Sequence, residues 1–141
     1  MKPYFIIYIS LVFLSQTILA KEIPQIIEID HPETILFVGN SYLYYNDSLH
    51  NHFKRIVEEY NTDFDGGASV KSSTIGGSRL KHHDVERLIK PKAISSIEKF
   101  ELIILQGGSA EPLSADNREE FSFFAKKHID AIKAKDSQAA L

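Results

Sequence analysis

The stretch Thr34-Ile35-Leu36-Phe37-Val38-Gly39-Asn40-Ser41-Tyr42 decides the reading of this chain. Ile35 to Val38 is a continuous apolar run containing β-branched residues, the pattern of a strand buried on both faces. It stops at Gly39-Asn40-Ser41, and Asn46-Asp47-Ser48 then offers a helix start. Leu49, Phe53, Ile56, Val57 and Tyr60 recur at helical spacing and make one apolar stripe. A strand of this kind delivers a serine to a loop at the carboxyl end of a sheet, where open α/β folds carry out their chemistry. Gly, Asn and Ser are equally ordinary turn and cap residues, so the tripeptide alone does not decide the matter.

The pattern repeats downstream. Ala68 to Thr74 reads as a weaker strand, followed by the loop Ile75-Gly76-Gly77-Ser78. Ser78 is placed to cap a helix whose buried side is Leu80, Val85, Leu88 and Ile89, and Pro91 ends it. Ala93 to Phe100 is expected to form a short helical piece. Leu102 to Leu105 is a third apolar strand, and Gln106-Gly107-Gly108-Ser109 a third loop. A last helix starts at Ser114 or Asp116, with Asp116 and Glu119 in capping-box spacing. Its stripe is Phe121, Phe124, Ala125, His128, Ile129 and Ile132. Strands alternating with helices imply parallel pairing with right-handed crossovers, which gathers the three loops on one edge of the sheet.

The chain has 141 residues, a net charge of −3 and no cysteine. That length holds one modest domain. No basic cluster marks a nucleic-acid partner. Without cysteine there is no disulfide framework, thiolate metal site or cysteine nucleophile. Residues 1–20 have the layout of a secretory signal peptide: Lys2, then an apolar run from Tyr4 to Leu14, then a small residue, Ala20, at a cut before Lys21. The run is short for a membrane span, which needs about 20 apolar residues. The expected location is therefore secreted or periplasmic, with no stable membrane span after cleavage. The alternative is a membrane anchor made by an uncleaved signal. Residues 21–33, with Pro24 and Pro32, read as a lead-in segment.

Three blocks carry a resemblance to a known family. Phe37 to Ser41, Thr74 to Ser78 and Ile103 to Ser109 follow in order, each after an expected strand and before an expected helix. In this the chain resembles the SGNH (GDSL-like) hydrolases, a family of esterases and acyl-hydrolases, from Thr34 to about Ile132. The resemblance implies an α/β fold of flavodoxin-like type, a three-layer sandwich around a parallel sheet. It implies a serine ester hydrolase acting on a small-molecule or polysaccharide ester, without metal or organic cofactor. Ser41 matches the catalytic nucleophile, with Asn40 where many members have Asp. The N–H groups of Ser41 and Gly76 match two oxyanion donors, with Gly77 as the fallback. Such chemistry needs an activated hydroxyl and preorganised donors for the developing charge.

Two departures from the family pattern stand out. The family's oxyanion asparagine falls on Ala110, which has no side-chain donor; Gln106 is the first substitute and Ser109 the second. The family's late Asp-x-x-His block has no counterpart. Asp47-Ser48-Leu49-His50 matches it by letters but sits on the wrong element. His50 and His52 read as exposed helix residues, His82 and His83 diverge, and His128 reads as a packed core residue. The expectation is thus a partial domain over 34–141, truncated after about three strands, whose third strand has an exposed apolar edge. Tyr42, Tyr44 and Tyr45 follow the nucleophile and either line a pocket, as Asn40 also would, or pack beneath the loop. The competing function is a non-catalytic ligand-binding or pseudo-hydrolase module on the same frame. The sequence gives no oligomeric state.

Overall fold

The computed structural model describes residues 31–135. The expected signal segment, and all of the lead-in before residue 31, lie outside them, as do residues 136–141.

The decisive stretch forms strand β1, Ile35–Gly39, every residue of which is buried. It is the middle strand of a three-stranded parallel sheet in the order β2-β1-β3, where β2 is Val70–Thr74 and β3 is Leu102–Leu105. Being central explains its unbroken apolar run, because side chains alternate between two covered faces. Leu36 and Val38 point into one cluster with Val85, Leu88, Phe100, Ile103 and Ile132. Ile35 and Phe37 point into the other with Leu43 and Val70, flanked by Phe53 and Phe64. Each such side chain contributes about 1.5–3 kcal/mol by leaving water.

Helices cover both faces, so the molecule is an open α/β structure compatible with a flavodoxin-like frame. On the Phe37 side lie α1 (Ser41–Tyr44), α2 (Leu49–Tyr60) and the single turn α3 (Gly66–Ser69). The other side holds α4 (Val85–Leu88) and α5 (Ala115–Lys135). α5 starts at the Ser114 alternative: the Ser114 hydroxyl accepts from Asn117 N–H at 3.2 Å. His128 is buried on it, as expected, and bonds Leu80 O through Nε2 at 3.0 Å.

Several elements differ from the sequence reading. Ala93 to Phe100 contains no helix. Lys92 and Ser95 take left-handed backbone, and Lys92 N–H closes the loop on Ile97 O at 2.8 Å. Ile94 and Ile97 have helical spacing but act as plugs from a loop into the core. The helix expected from Leu80 to Ile89 is split into a 3₁₀ turn, Leu80–His82, and α4. Asp84 makes the break, since its carboxylate caps a fresh start by accepting from Arg87 N–H at 3.1 Å. Strand β2 begins at Val70 rather than Ala68, because Asp65 caps α3 through Ala68 N–H at 2.9 Å. His50 is half-buried, not exposed: its ring lies 6.2 Å from that of Phe37.

Register brings the three strand ends level. Gly39 stands beside Thr74, and Val38 beside Leu105. Ile75 N–H bonds Gly39 O at 3.0 Å and Gln106 N–H bonds Val38 O at 2.8 Å. The loops after β1, β2 and β3 therefore leave the same carboxyl edge. The outer edge of β3 pairs with no strand among the described residues. An apolar groove of about 330 Å³ runs along it, between Leu102–Leu105 and Phe121, Ala125 and Ile129 of α5.

Candidate functional site

Asn40 is the clasp that joins the three loops. It is 3% exposed, and its polar groups reach all of them. Its side-chain Nδ2 donates to Ser78 O at 2.9 Å and to Gly107 O at 3.1 Å. Its backbone N–H donates to Gln106 Oε1 at 2.9 Å. Its Oδ1 accepts from Tyr42 N–H at 3.1 Å and so caps α1. Two donors and one acceptor are what an amide side chain offers and a carboxylate does not. Sequence reasoning placed Asn40 as pocket lining; the clasp was unreadable because its partners are main-chain carbonyls 38 and 67 residues away.

Behind the clasp sits a second buried polar pair. Ser78 Oγ lies 2.8 Å from His83 Nε2 and donates to Gly39 O at 3.3 Å. With the hydroxyl directed at Gly39, Nε2 carries the hydrogen of that pair. Ser78 is therefore a core brace rather than a helix cap. Burial, reinforced by the nearby His128 and His82, holds His83 below the ordinary imidazole pKa.

Ser41 opens α1 beside the clasp and is half-buried. Its hydroxyl and its N–H bond no group among the described residues. It lines a polar cleft of about 210 Å³ together with Tyr42, Tyr45, Gly77, Arg79 and Ser109. Gly77, rather than Gly76, is the second-loop glycine on this wall. Ser78 N–H closes a tight turn on Ile75 O at 3.1 Å, and Gly77 takes φ +69°, the value its third position favours. Gly76 turns toward Tyr44: a Cβ there would meet the phenol oxygen at 3.0 Å. Neither glycine N–H is bonded among the described residues.

Gln106 is not on the cleft wall. Its amide accepts from Asn40 N–H and donates to Gly107 O, so both ends brace the strand termini. Ser109 lines the cleft and is exposed, and Ala110 lies beside it. Tyr42 and Tyr45 are 64% and 65% exposed, so they form the rim instead of packing beneath the loop. Glu111 is buried and binds Gly108 N–H, which fixes the third loop.

No described histidine bonds Ser41. His50 lies 3.4 Å from Ser72 Oγ, and burial, then Lys54, lowers its pKa. His52 bonds Asn46 O at 2.7 Å, and His82 Nδ1 accepts from Arg79 N–H at 3.0 Å. His83 and His128 are held in the core as described. Among the described residues the site thus offers a hydroxyl beside unengaged backbone N–H groups, and none of these imidazoles is bonded to that hydroxyl. No family model, no curated protein and no solved structure matches the chain.

Proposed function

We propose that the chain carries the nucleophile and oxyanion side of a secreted serine ester hydrolase of SGNH type. Ser41 attacks the ester carbonyl, and the Ser41 N–H and a second-loop glycine N–H receive the oxyanion. Gly76 is the glycine named by the family pattern, and Gly77 is the one on the cleft wall. The base that takes the Ser41 proton comes from outside the described residues. A serine hydroxyl needs such a base to become a useful nucleophile. The leader-like segment from Tyr4 to Leu14 supports export to the periplasm or beyond.

The observation that carries this reading is the seating of Ser41. It follows the central strand directly, its hydroxyl and N–H are unengaged among the described residues, and it shares a polar cleft with loops from both neighbouring strands. Losing one oxyanion donor typically costs roughly 100- to 1,000-fold in rate, so a preorganised backbone pair is worth building a loop around. A fluorophosphonate probe applied to the native protein from its source cells tests the reading. Labelling of the Ser41 peptide is expected, with loss in Ser41→Ala. Absence of labelling in the folded native protein contradicts it.

A second reading is a non-catalytic ligand-binding module of the same shape. Three observations favour it: no described histidine bonds Ser41, the Gln106 amide is occupied by backbone, and Ala110 offers no side-chain donor. Binding to the cleft without any labelling of Ser41 would select it.

A further inference from the structure

Arg79 is the one charged side chain among the described residues that line the Ser41 cleft. It follows the second loop and is held from α5. Its Nη1 donates to Asn117 Oδ1 at 3.0 Å and to Glu120 Oε1 at 2.8 Å. The side chain is 27% exposed, so it is braced without being sealed. Nε and Nη2 bond no described residue, which leaves part of the donor fork unused.

Glu120 also binds Lys81, at 2.7 Å, so one carboxylate serves two cations. These two contacts, Lys81 first, hold Glu120 below the usual carboxylate range. Glu111, which follows the third loop, is buried and its carboxylate accepts from Gly108 N–H. The cleft therefore carries a guanidinium that shares Glu120 with Lys81 and whose Nε and Nη2 bond no described residue. Its rim carries two exposed tyrosine rings, and its walls carry the Ser41 and Ser109 hydroxyls, with no aliphatic side chain beyond Ala110. Such a lining disfavours a long acyl chain and suits a hydroxyl-rich ligand bearing an anion.

We infer that Arg79 makes this cleft selective for a ligand bearing a carboxylate, an acidic sugar or its ester, held beside Ser41. The guanidinium matches a carboxylate in shape as well as charge. This inference rests on the cleft being the site proposed above, but it does not depend on Ser41 reacting.

The test is an NMR titration of the isotope-labelled full chain with D-galacturonate and with D-galactose, which differ in the carboxylate. The amide signals of Ser41, Gly77 and Ser109 should respond, with galacturonate binding roughly tenfold tighter. Arg79→Gln should bring galacturonate down to the galactose level. Glu120→Gln removes the carboxylate that competes for Arg79 and should tighten galacturonate, which keeps the test decisive if Arg79→Gln does not fold. Equal affinities for the two sugars, an unchanged preference in Arg79→Gln, or no gain in Glu120→Gln would overturn the inference. Ser41→Ala should keep the preference. Fluorophosphonate labelling without carboxylate preference sinks this inference and spares the hydrolase; preference without labelling does the reverse.

Discussion

Replacing Asn40 by aspartate tests the clasp with the least change in shape. The wild-type amide donates to Ser78 O and Gly107 O from a site that is 3% exposed. An ionised aspartate at this position donates to neither and sets a carboxylate against two carbonyl oxygens. Each orphaned carbonyl costs about 1–3 kcal/mol. The backbone bond to Gln106 and the α1 cap at Tyr42 N–H survive, because neither uses the lost donors. The expected loss is about 3 kcal/mol at pH 8, a large share of the roughly 5–15 kcal/mol that holds a domain together. Burial raises the pKa of the new acid above its unfolded value. Once protonated it regains one O–H donor, so its penalty is smallest at low pH and grows as pH rises through the folded pKa. Urea unfolding followed by circular dichroism at pH 5 and pH 8 reads this out, with each variant compared to wild type at the same pH. Asn40→Ala should lose stability about equally at both pH values. An Asn40→Asp variant within about 0.5 kcal/mol of wild type at pH 8, or one with no pH dependence, would refute the clasp.

Other predictions follow from the same edge of the sheet. Gly39→Ala places a Cβ 2.5 Å from Gln106 Oε1 and 2.8 Å from Leu43 Cδ1, and should cost about 1–3 kcal/mol in the same unfolding assay. His83 is held neutral by burial and by His128 and His82, so the folded state resists the proton that the unfolded chain accepts. Stability is complete above the unfolded imidazole value of about 6.5 and falls as pH drops toward the lower folded value; His83→Gln should flatten that slope. The outer edge of β3, which pairs with no strand among the described residues, should make the chain associate as its concentration rises, and sedimentation showing a monomer throughout the micromolar-to-millimolar range would contradict this.

The parallel sheet was legible because β1 and β3 are apolar runs with no polar break, and the loops that follow them carry glycine. Helices α2 and α5 were legible from periodicity, but their stripes are only partly covered: Leu49, Ile56 and Tyr60 of α2 and Phe121 of α5 are exposed, and of the two stripes only His128 and Ile132 are buried. What failed was local competition. Asp84 and Asp65 cap short turns against the longer pattern, and the loop from Lys92 to Ile97 uses apolar residues without a helix. At the site, Ser41 was readable from its place after a strand. Asn40 as a clasp, the Ser78–His83 brace and the tethering of Arg79 were not, since each depends on partners that only the folded chain brings near. Of the two glycines proposed as oxyanion donors, a one-residue difference in turn geometry puts Gly77 on the wall and Gly76 against Tyr44, which no spacing rule reports.

The most direct measurement is a crystal structure of the native protein after reaction with an organophosphonate. The account predicts phosphorus bonded to Ser41 Oγ, with the phosphoryl oxygen accepting from the Ser41 N–H and from a glycine N–H of the Ile75–Ser78 turn. Phosphorus on another residue, or a Ser41 adduct whose oxygen faces away from that turn, would contradict it.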